Sequence, residues 1–211
     1  GCWEKLEFIS NPKCSKCGYP MKYDFGSGAL CASCISKEPS FDKAFSVFSY
    51  NGFSSKFISS SKYYDKTLYY HIFSDWLSDL IVKNISDYEE CILLPIPITR
   101  RRLFQRKFNQ SAIMVNHISK KLNMMRNNLL LERYIERPPQ ANLTRRQRIK
   151  NVKGIFRIND KFKEHVKGND FIIVDDVYTT GATIEECVKV LKKAGAARVF
   201  AVTVARTVLE E

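Results

Sequence analysis

The sequence predicts an α/β chain: a doubly wound, mostly parallel sheet preceded by a small cysteine-stapled module at residues 1–40. Three observations carry this. Apolar runs of strand type alternate with segments of helical periodicity along most of the chain. Four cysteines fall into two CxxC pairs, "CSKC" and "CASC", between residues 14 and 34. A β-branched run, Phe171–Val174, drives straight into two aspartates, then threonines and a glycine: "FIIVDDVYTTGAT".

Residues 1–40 are short, polar and punctuated by Gly and Pro, too little to bury a core without a staple. Residues 41–57, "FDKAFSVFSYNGFSSKF", are β-prone, and Asn51-Gly52 is a turn signal after them. Residues 64–83 read as a helix, with Leu68, Ile72, Trp76, Leu80 and Ile81 at helical spacing. "CILLPIP" is a short apolar strand, and "TRRRLFQRKFNQ" reads as a basic loop. Residues 110–122 are helical again, through Ile113, Ile118 and Leu122. "NLLLERYI" (128–135) is strand-like. Pro138-Pro139 opens a basic segment, 140–153, in which Thr144-x-x-Gln147 is a capping box. Residues 182–194 form an amphipathic helix with Ile184, Cys187, Val188 and Leu191 inward and Gly195 as its C-cap. "RVFAVTVA" closes a strand–helix–strand unit.

The chain has 211 residues, 45% of them hydrophobic, which supports a real core and argues against wholesale disorder. Lys and Arg number 34 against 22 Asp and Glu, a net +12 that favours polyanionic partners: nucleic acid, anionic lipid or phosphorylated small molecules. A merely solvated basic surface is the plainer alternative. No run reaches the ~18 apolar residues of a membrane span, so no transmembrane segment is expected. Glu4, Lys5 and Glu7 interrupt any apolar signal core. The expected compartment is the cytoplasm, with peripheral attachment at the inner membrane left open. Cysteines there are reduced, so clustered ones point to metal.

Cys14-x-x-Cys17 and Cys31-x-x-Cys34 supply four thiolates, a complete tetrahedral shell for a structural Zn²⁺. Free or disulfide-bonded cysteines are the alternative, and Cys2 is a weak spare ligand. Such a module contacts nucleic acid or packs on a neighbouring domain; both stay open. Cys91 and Cys187 read as core residues.

Ligands of open parallel sheets bind beyond the carboxyl ends of strands. The loop 175–181 sits there, between a strand ending at Val174 and a helix starting at Ala182. Its amides suit a phosphate, and Thr179, Thr180 and Thr183 add hydroxyl donors. Asp175 and Asp176 would repel phosphate, so they suit vicinal ribose hydroxyls, with Mg²⁺ nearby. Together these features describe a ribose 5-phosphate site. The plainer reading is a buried strand followed by a polar turn.

"FIIVDDVYTTGAT" closely resembles the phosphoribosyl pyrophosphate (PRPP) motif of type I phosphoribosyltransferases. The resemblance implies that Asp175 and Asp176, the catalytic candidates, hold the ribose diol. It implies that Tyr178, Thr179, Thr180, Gly181, Ala182 and Thr183 wrap the 5′-phosphate. With "PIPITRRRLFQRKFNQS", "RPPQANLTRRQRIKNVKGIF" and the cysteine pairs added, nearly the whole chain resembles the ComF competence-protein family. That family implies a zinc ribbon (1–40) fused to an amidophosphoribosyltransferase-like domain of the type I phosphoribosyltransferase fold (41–211). It implies PRPP with Mg²⁺ as ligand, and a part in natural transformation, handling single-stranded DNA as it enters the cytoplasm. Other competence or DNA-processing proteins are then expected partners. Lys107 stands where the family more often has Gly, which bears on the local turn.

Pro97 to Arg102 follows a strand end and is the candidate diphosphate loop, with Thr99 and Arg100 as its binding residues. Adjacent side chains diverge, so Arg100, Arg101 and Arg102 do not all enter one pocket. Arg101, Arg102 and Arg106 are candidates for DNA, as are Arg145, Arg146, Arg148 and Lys150. The second group suits a lid over the diphosphate, a DNA surface or a solvated face. The aromatics of 41–76 read mostly as packing, with Tyr63 and Tyr64, beside Lys62 and Lys66, the ones to stack on bases. His71, His117 and His165 sit in no motif. No acceptor site is recognisable. An active phosphoribosyltransferase on a small acceptor is the alternative function, and a zinc-ribbon nucleic-acid module with a vestigial domain is a third.

Overall fold

The computed structural model describes residues 2–60, 68–137 and 144–208, without the side chains of Cys2, Trp3, Ser60, Leu68, Arg145, Arg146 and Arg148. Its strands are β1 (Lys43–Ser49), β2 (Ile92–Pro95), β3 (Leu131–Arg133), β4 (Phe156–Ile158), β5 (Phe171–Tyr178) and β6 (Val199–Arg206). Its α-helices are α1 (Ala32–Ser36), α2 (Gly52–Ser60), α3 (Leu68–Asn84), α4 (Arg100–Arg106), α5 (Gln110–Leu122), α6 (Arg145–Val152) and α7 (Ala182–Lys193).

Four strands pair in parallel in the order β1-β6-β5-β2. The core follows from the strand period. Phe171 and Ile173 pack with Ile184, Cys187, Val188 and Leu191 of α7. Ile172 and Val174, alternating with them, pack with Phe73, Leu77 and Ile81 of α3 and Met114 and Ile118 of α5. Both faces are therefore covered, as a parallel sheet requires. β3 and β4 pair antiparallel as a separate small layer, and α6 lies between them in the chain. Val152 of α6 is fully buried in the core that α7 shares. The capping box at Thr144 is formed with Gln147.

Two local expectations are corrected, and one turn signal gains a role. The turn at Asn51-Gly52 follows β1 without reversing it into a neighbouring strand, since β1 is parallel to β6 and the chain must leave the sheet. Asn51 instead opens α2, exchanging hydrogen bonds with Ser54 (Ser54 N to Oδ1, 3.0 Å; Asn51 N to Ser54 Oγ, 2.7 Å). The "basic loop" is mostly helix α4, capped by Thr99, whose side chain accepts from Arg102 N. α4 buries none of its residues and leaves Phe104 89% exposed, so it had no apolar period to show. β5 continues four residues past Val174, through both aspartates. Lys107, which ends α4, takes a left-handed φ of +63°, the conformation for which glycine is suited.

The aromatics of 41–76 that are described serve packing. Phe48, Tyr70 and Phe73 are fully buried, and Phe57 and Trp76 meet them edge-on. Tyr63 and Tyr64, with Lys62 and Lys66, lie outside the described residues. Cys91 and Cys187 are core residues, as expected.

The cysteine module is docked on the sheet. Ala44 N, on β1, donates to Lys16 O at 2.9 Å. Gly18 runs so close that a Cβ there would lie 2.7 Å from the Ala44 carbonyl. Cys14, Cys17 and Cys34 belong to the same buried cluster as α7 and β5. The four sulfurs lie within 4.8 Å of one another. Cys17 Sγ and Cys31 Sγ are 3.7 Å apart, matching the ~3.8 Å that 2.3 Å Zn–S bonds and tetrahedral angles give. All four are free thiols, so the disulfide alternative does not hold. A hydrogen bond from Cys17 pulls the Cys14 thiol down to about 4 and pushes Cys17 up. Burial pushes Cys34 up to about 12. Zinc binds the thiolates and releases their protons, so its affinity should rise with pH. The donor set fits zinc.

Two outcomes are expected. Lys107→Gly should raise the unfolding free energy by roughly 0.5–1 kcal/mol in denaturant melts, since it relieves the left-handed lysine. Elemental analysis should find one zinc per chain, and Cys34→Ser should weaken zinc affinity by more than about tenfold in chelator competition.

Candidate functional site

Pairing between β2 and β5 stops at Pro95 and Val174. Pairing between β5 and β6 runs on to Tyr178 and Arg206. β5 thus overhangs β2. The chain leaves β2 for one side through α4 and α5, and leaves β5 for the other through α7 to β6. The overhang is therefore a topological switch point, where such sheets bind ligands.

The two aspartates stand on this overhang. Asp175 Oδ1 accepts from Ser111 Oγ at 3.2 Å and from Asp176 N at 2.9 Å. Asp176 Oδ2 accepts from Gln110 Nε2 at 3.3 Å. Asn109 caps α5 through Ser111 N (3.1 Å) and donates its amide to Ile96 O at 3.0 Å. The segment 109–111 thus ties the exit of β2, the start of α5 and the acid pair together. These positioning residues were missed from sequence. Their signal was an Asn N-cap followed by two polar residues that turn out to be buried, Gln110 and Ser111. Gln110 Oε1 is a buried acceptor without a protein partner among the described residues.

Beyond the overhang, Thr179 and Thr180 lead to Gly181, which caps α7 at φ +72°. Ala182 N donates to Thr180 Oγ1 at 3.3 Å, and Glu185 N to Gly181 O at 2.8 Å. A shallow depression is lined here by Asp175, Val177, Thr179, Gly181 and Thr183. It lies at the positive end of the α7 dipole, a place suited to an anion. Tyr178 also lines the depression and is half-buried. It folds under Gly181, where an added Cβ would collide with its hydroxyl, and packs edge-on to Phe41. Burial keeps that hydroxyl protonated.

On the β2 side, Thr99 is buried, and its hydroxyl donates to Glu136 at 3.3 Å. Arg100 and Arg101 are exposed, while Arg102 turns inward. Burial, then the nearby Arg106, lowers the Arg102 pKa, and Glu136 opposes. Arg133, at the end of β3, is also lowered, by burial and then by Arg102. Its Nε is buried without a partner among the described residues. Burial pushes the Cys187 thiol up, with Asp175 adding to the rise and Arg133 opposing it. Arg133 carried no sequence motif. Arg106 is half-buried and Lys150 exposed; Arg145, Arg146 and Arg148 stand on α6. The histidines take no part in the overhang's bonds: His71 and His117 join α3 to α5 through their Nδ1 atoms, 2.9 Å apart, and His117 meets Asp75.

Among the described residues no helix is long and apolar enough to cross a membrane. Residues 109–208 match the family model described as the phosphoribosyl transferase domain. Competence protein F of Haemophilus influenzae is 27% identical over 209 residues, covering 92% of this chain and 84% of that protein. DNA utilization protein YhgH of Escherichia coli K12 is 27% identical over 201 residues, with the same coverage of 92% and 84%. Competence protein ComFC of Bacillus subtilis is 26% identical over 216 residues, covering 98% of this chain and 82% of that one. With a phosphoribosyl transferase domain at 109–208 and a four-cysteine module at its amino-terminal side, the chain is similar to these competence and DNA utilization proteins over 92–98% of its length.

Proposed function

We propose that the crevice beside β5 binds a ribose 5-phosphate ligand, PRPP with Mg²⁺, and that the protein serves natural transformation by holding single-stranded DNA on the cytoplasmic side. One observation carries the ligand: Asp175 and Asp176 are fixed by Ser111 and Gln110 at a strand overhang, directly before a glycine-capped helix start. Carboxylates accept from a ribose diol, and the α7 amides with Thr179, Thr180 and Thr183 receive its 5′-phosphate. The inward arginines suit the diphosphate better than Arg100 does. Arg102 and Arg133 are half-buried, each lowered first by burial, and an anion beside them would offset the repulsion Arg133 feels from Arg102. Mg²⁺ would arrive with the diphosphate and neutralise its charge; an oxygen-only donor set, Asp175 and Asp176, suits a hard cation. The reading is one of binding, with turnover on a small acceptor as the alternative.

The transformation role rests on what the similar proteins are called, competence and DNA utilization proteins. The DNA reading rests on charge and on α4. The net charge is +12, and α4 presents Phe104 at 89% exposure beside the exposed Arg100 and Arg101. An aromatic ring among arginines is a stacking platform for unpaired bases. Lys150 is a further exposed cation, on α6.

Calorimetry should show PRPP/Mg²⁺ binding that drops by more than about a hundredfold when Asp175 and Asp176 both become Asn, because neither amide accepts from the ribose diol with a full negative charge. Arg133→Ala should weaken PRPP about tenfold yet leave ribose 5-phosphate nearly unchanged, because only PRPP carries the diphosphate. Equal losses for both ligands would move Arg133 out of that role. Single-strand affinity should fall steeply with salt, and Phe104→Ala should cost about 1–2 kcal/mol of it. A salt-insensitive titration would remove the DNA reading.

A further inference from the structure

We propose that Arg206 is a positioning residue that couples the cysteine module to the ligand loop, so that metal occupancy and ligand binding strengthen each other. The identity of the ligand rests on the ribose-phosphate reading; the coupling does not.

Arg206 ends β6 and is only 4% exposed. In register it lies beside Tyr178 of β5, and cross-strand neighbours share a face. Its guanidinium stands 4.8 Å over the Tyr178 ring and 5.0 Å over the Tyr19 ring. Its Nη1 donates to the Cys17 carbonyl. One buried cation thus joins a metal ligand's backbone, an aromatic of the module and the aromatic beneath the loop. Its Nε stays buried without a partner among the described residues. Burying a guanidinium this way is costly. An apolar side chain would fill the space more cheaply, so simple packing does not account for it. What holds the arginine is the conjunction of those three contacts.

The chain of contact continues to the ligand loop. Tyr178 touches Gly181 so closely that a Cβ there would strike its hydroxyl. Gly181 is the cap of α7. Movement of the Tyr178 ring therefore moves the turn that presents the first α7 amides. A second tie runs alongside: Ser40, the last residue of the module, donates from N (3.0 Å) and Oγ (2.6 Å) to Glu185 in the first turn of α7. Metal held by Cys14, Cys17, Cys31 and Cys34 would tighten the knuckle that carries the Cys17 carbonyl. If the metal-folded module sets the loop, linkage makes the effect mutual: the ligand must retain the metal by the factor by which the metal aids the ligand.

The test uses the whole zinc-loaded chain and Arg206→Met, with zinc content checked at one per chain. Amide exchange across residues 179–184 should be about fivefold or more faster in the variant, with β2 unchanged. Wild-type exchange there would overturn the proposal, whether or not PRPP binds. Zinc release to a chromogenic chelator is then timed with and without saturating PRPP. PRPP should slow release from wild type about fivefold and leave Arg206→Met unaffected. A merely destabilised variant would lose zinc faster in both conditions and keep the ratio; that result would also overturn the coupling. Should Arg206→Met fail to fold, Tyr19→Leu removes only the module-side ring and should shrink the ratio; an unchanged ratio would count against the proposal. If PRPP does not bind wild type at all, the ribose-phosphate reading falls, and the exchange rates alone decide the coupling.

Discussion

Strand β5 outlasts its neighbour β2, and the site is organised around that inequality. Up to Val174 the backbone is paired on both edges. Beyond it, β6 still satisfies one edge, while the other faces a crevice. Two adjacent carboxylates there repel each other, and donors must be brought to them. The start of α5 supplies two, Ser111 and Gln110. Because parallel strands are followed by helices, the N-terminus of α7 arrives at the same end. The four fully buried residues Phe171–Val174 hold the overhang in place. A polar site is thus carried on an apolar root.

Much of this was legible in the sequence, and the reasons are local. The run FIIV states its burial on both faces. Thr144 and Gln147 announce their own cap. The bounds of α5, residues 110–122, follow from apolar spacing. The cysteine pairs carry their own geometry. What was not legible depends on partners. α4 hides because it turns no residue into the core. The end of β5 is set by β6, not by the aspartates. Arg102 rather than Arg100 faces inward because Thr99 fixes the phase of the helix. Arg133 and Arg206 are single arginines at strand ends, and only the tertiary structure gives them neighbours.

The cysteine module illustrates how a segment too small for its own core borrows one. Three of its sulfurs lie in the cluster built by β5 and α7. Its backbone adds to the edge of β1 through Lys16. The sheet supplies core that the segment lacks, and a module folded partly by the sheet reports on the sheet's condition. That is a different relation from two domains joined by a linker, where the metal site would be indifferent to the ligand loop.

The sheet's margins have a consequence for how the protein meets others. At β1, Ile9 N and Ser49 N exchange hydrogen bonds with the facing strand across residues 7–9 and 47–49, beside the Lys16 contact. At β2, Leu93 N donates to Met125 O, and Asn127 N to Leu93 O. Both rims are already occupied by the chain's own peptide groups. Along these stretches a partner strand finds fewer free peptide groups to extend, the usual route by which exposed sheets recruit or aggregate. Recognition is left to side chains, on a surface where cations outnumber anions, and that makes ionic strength the natural control over who stays bound.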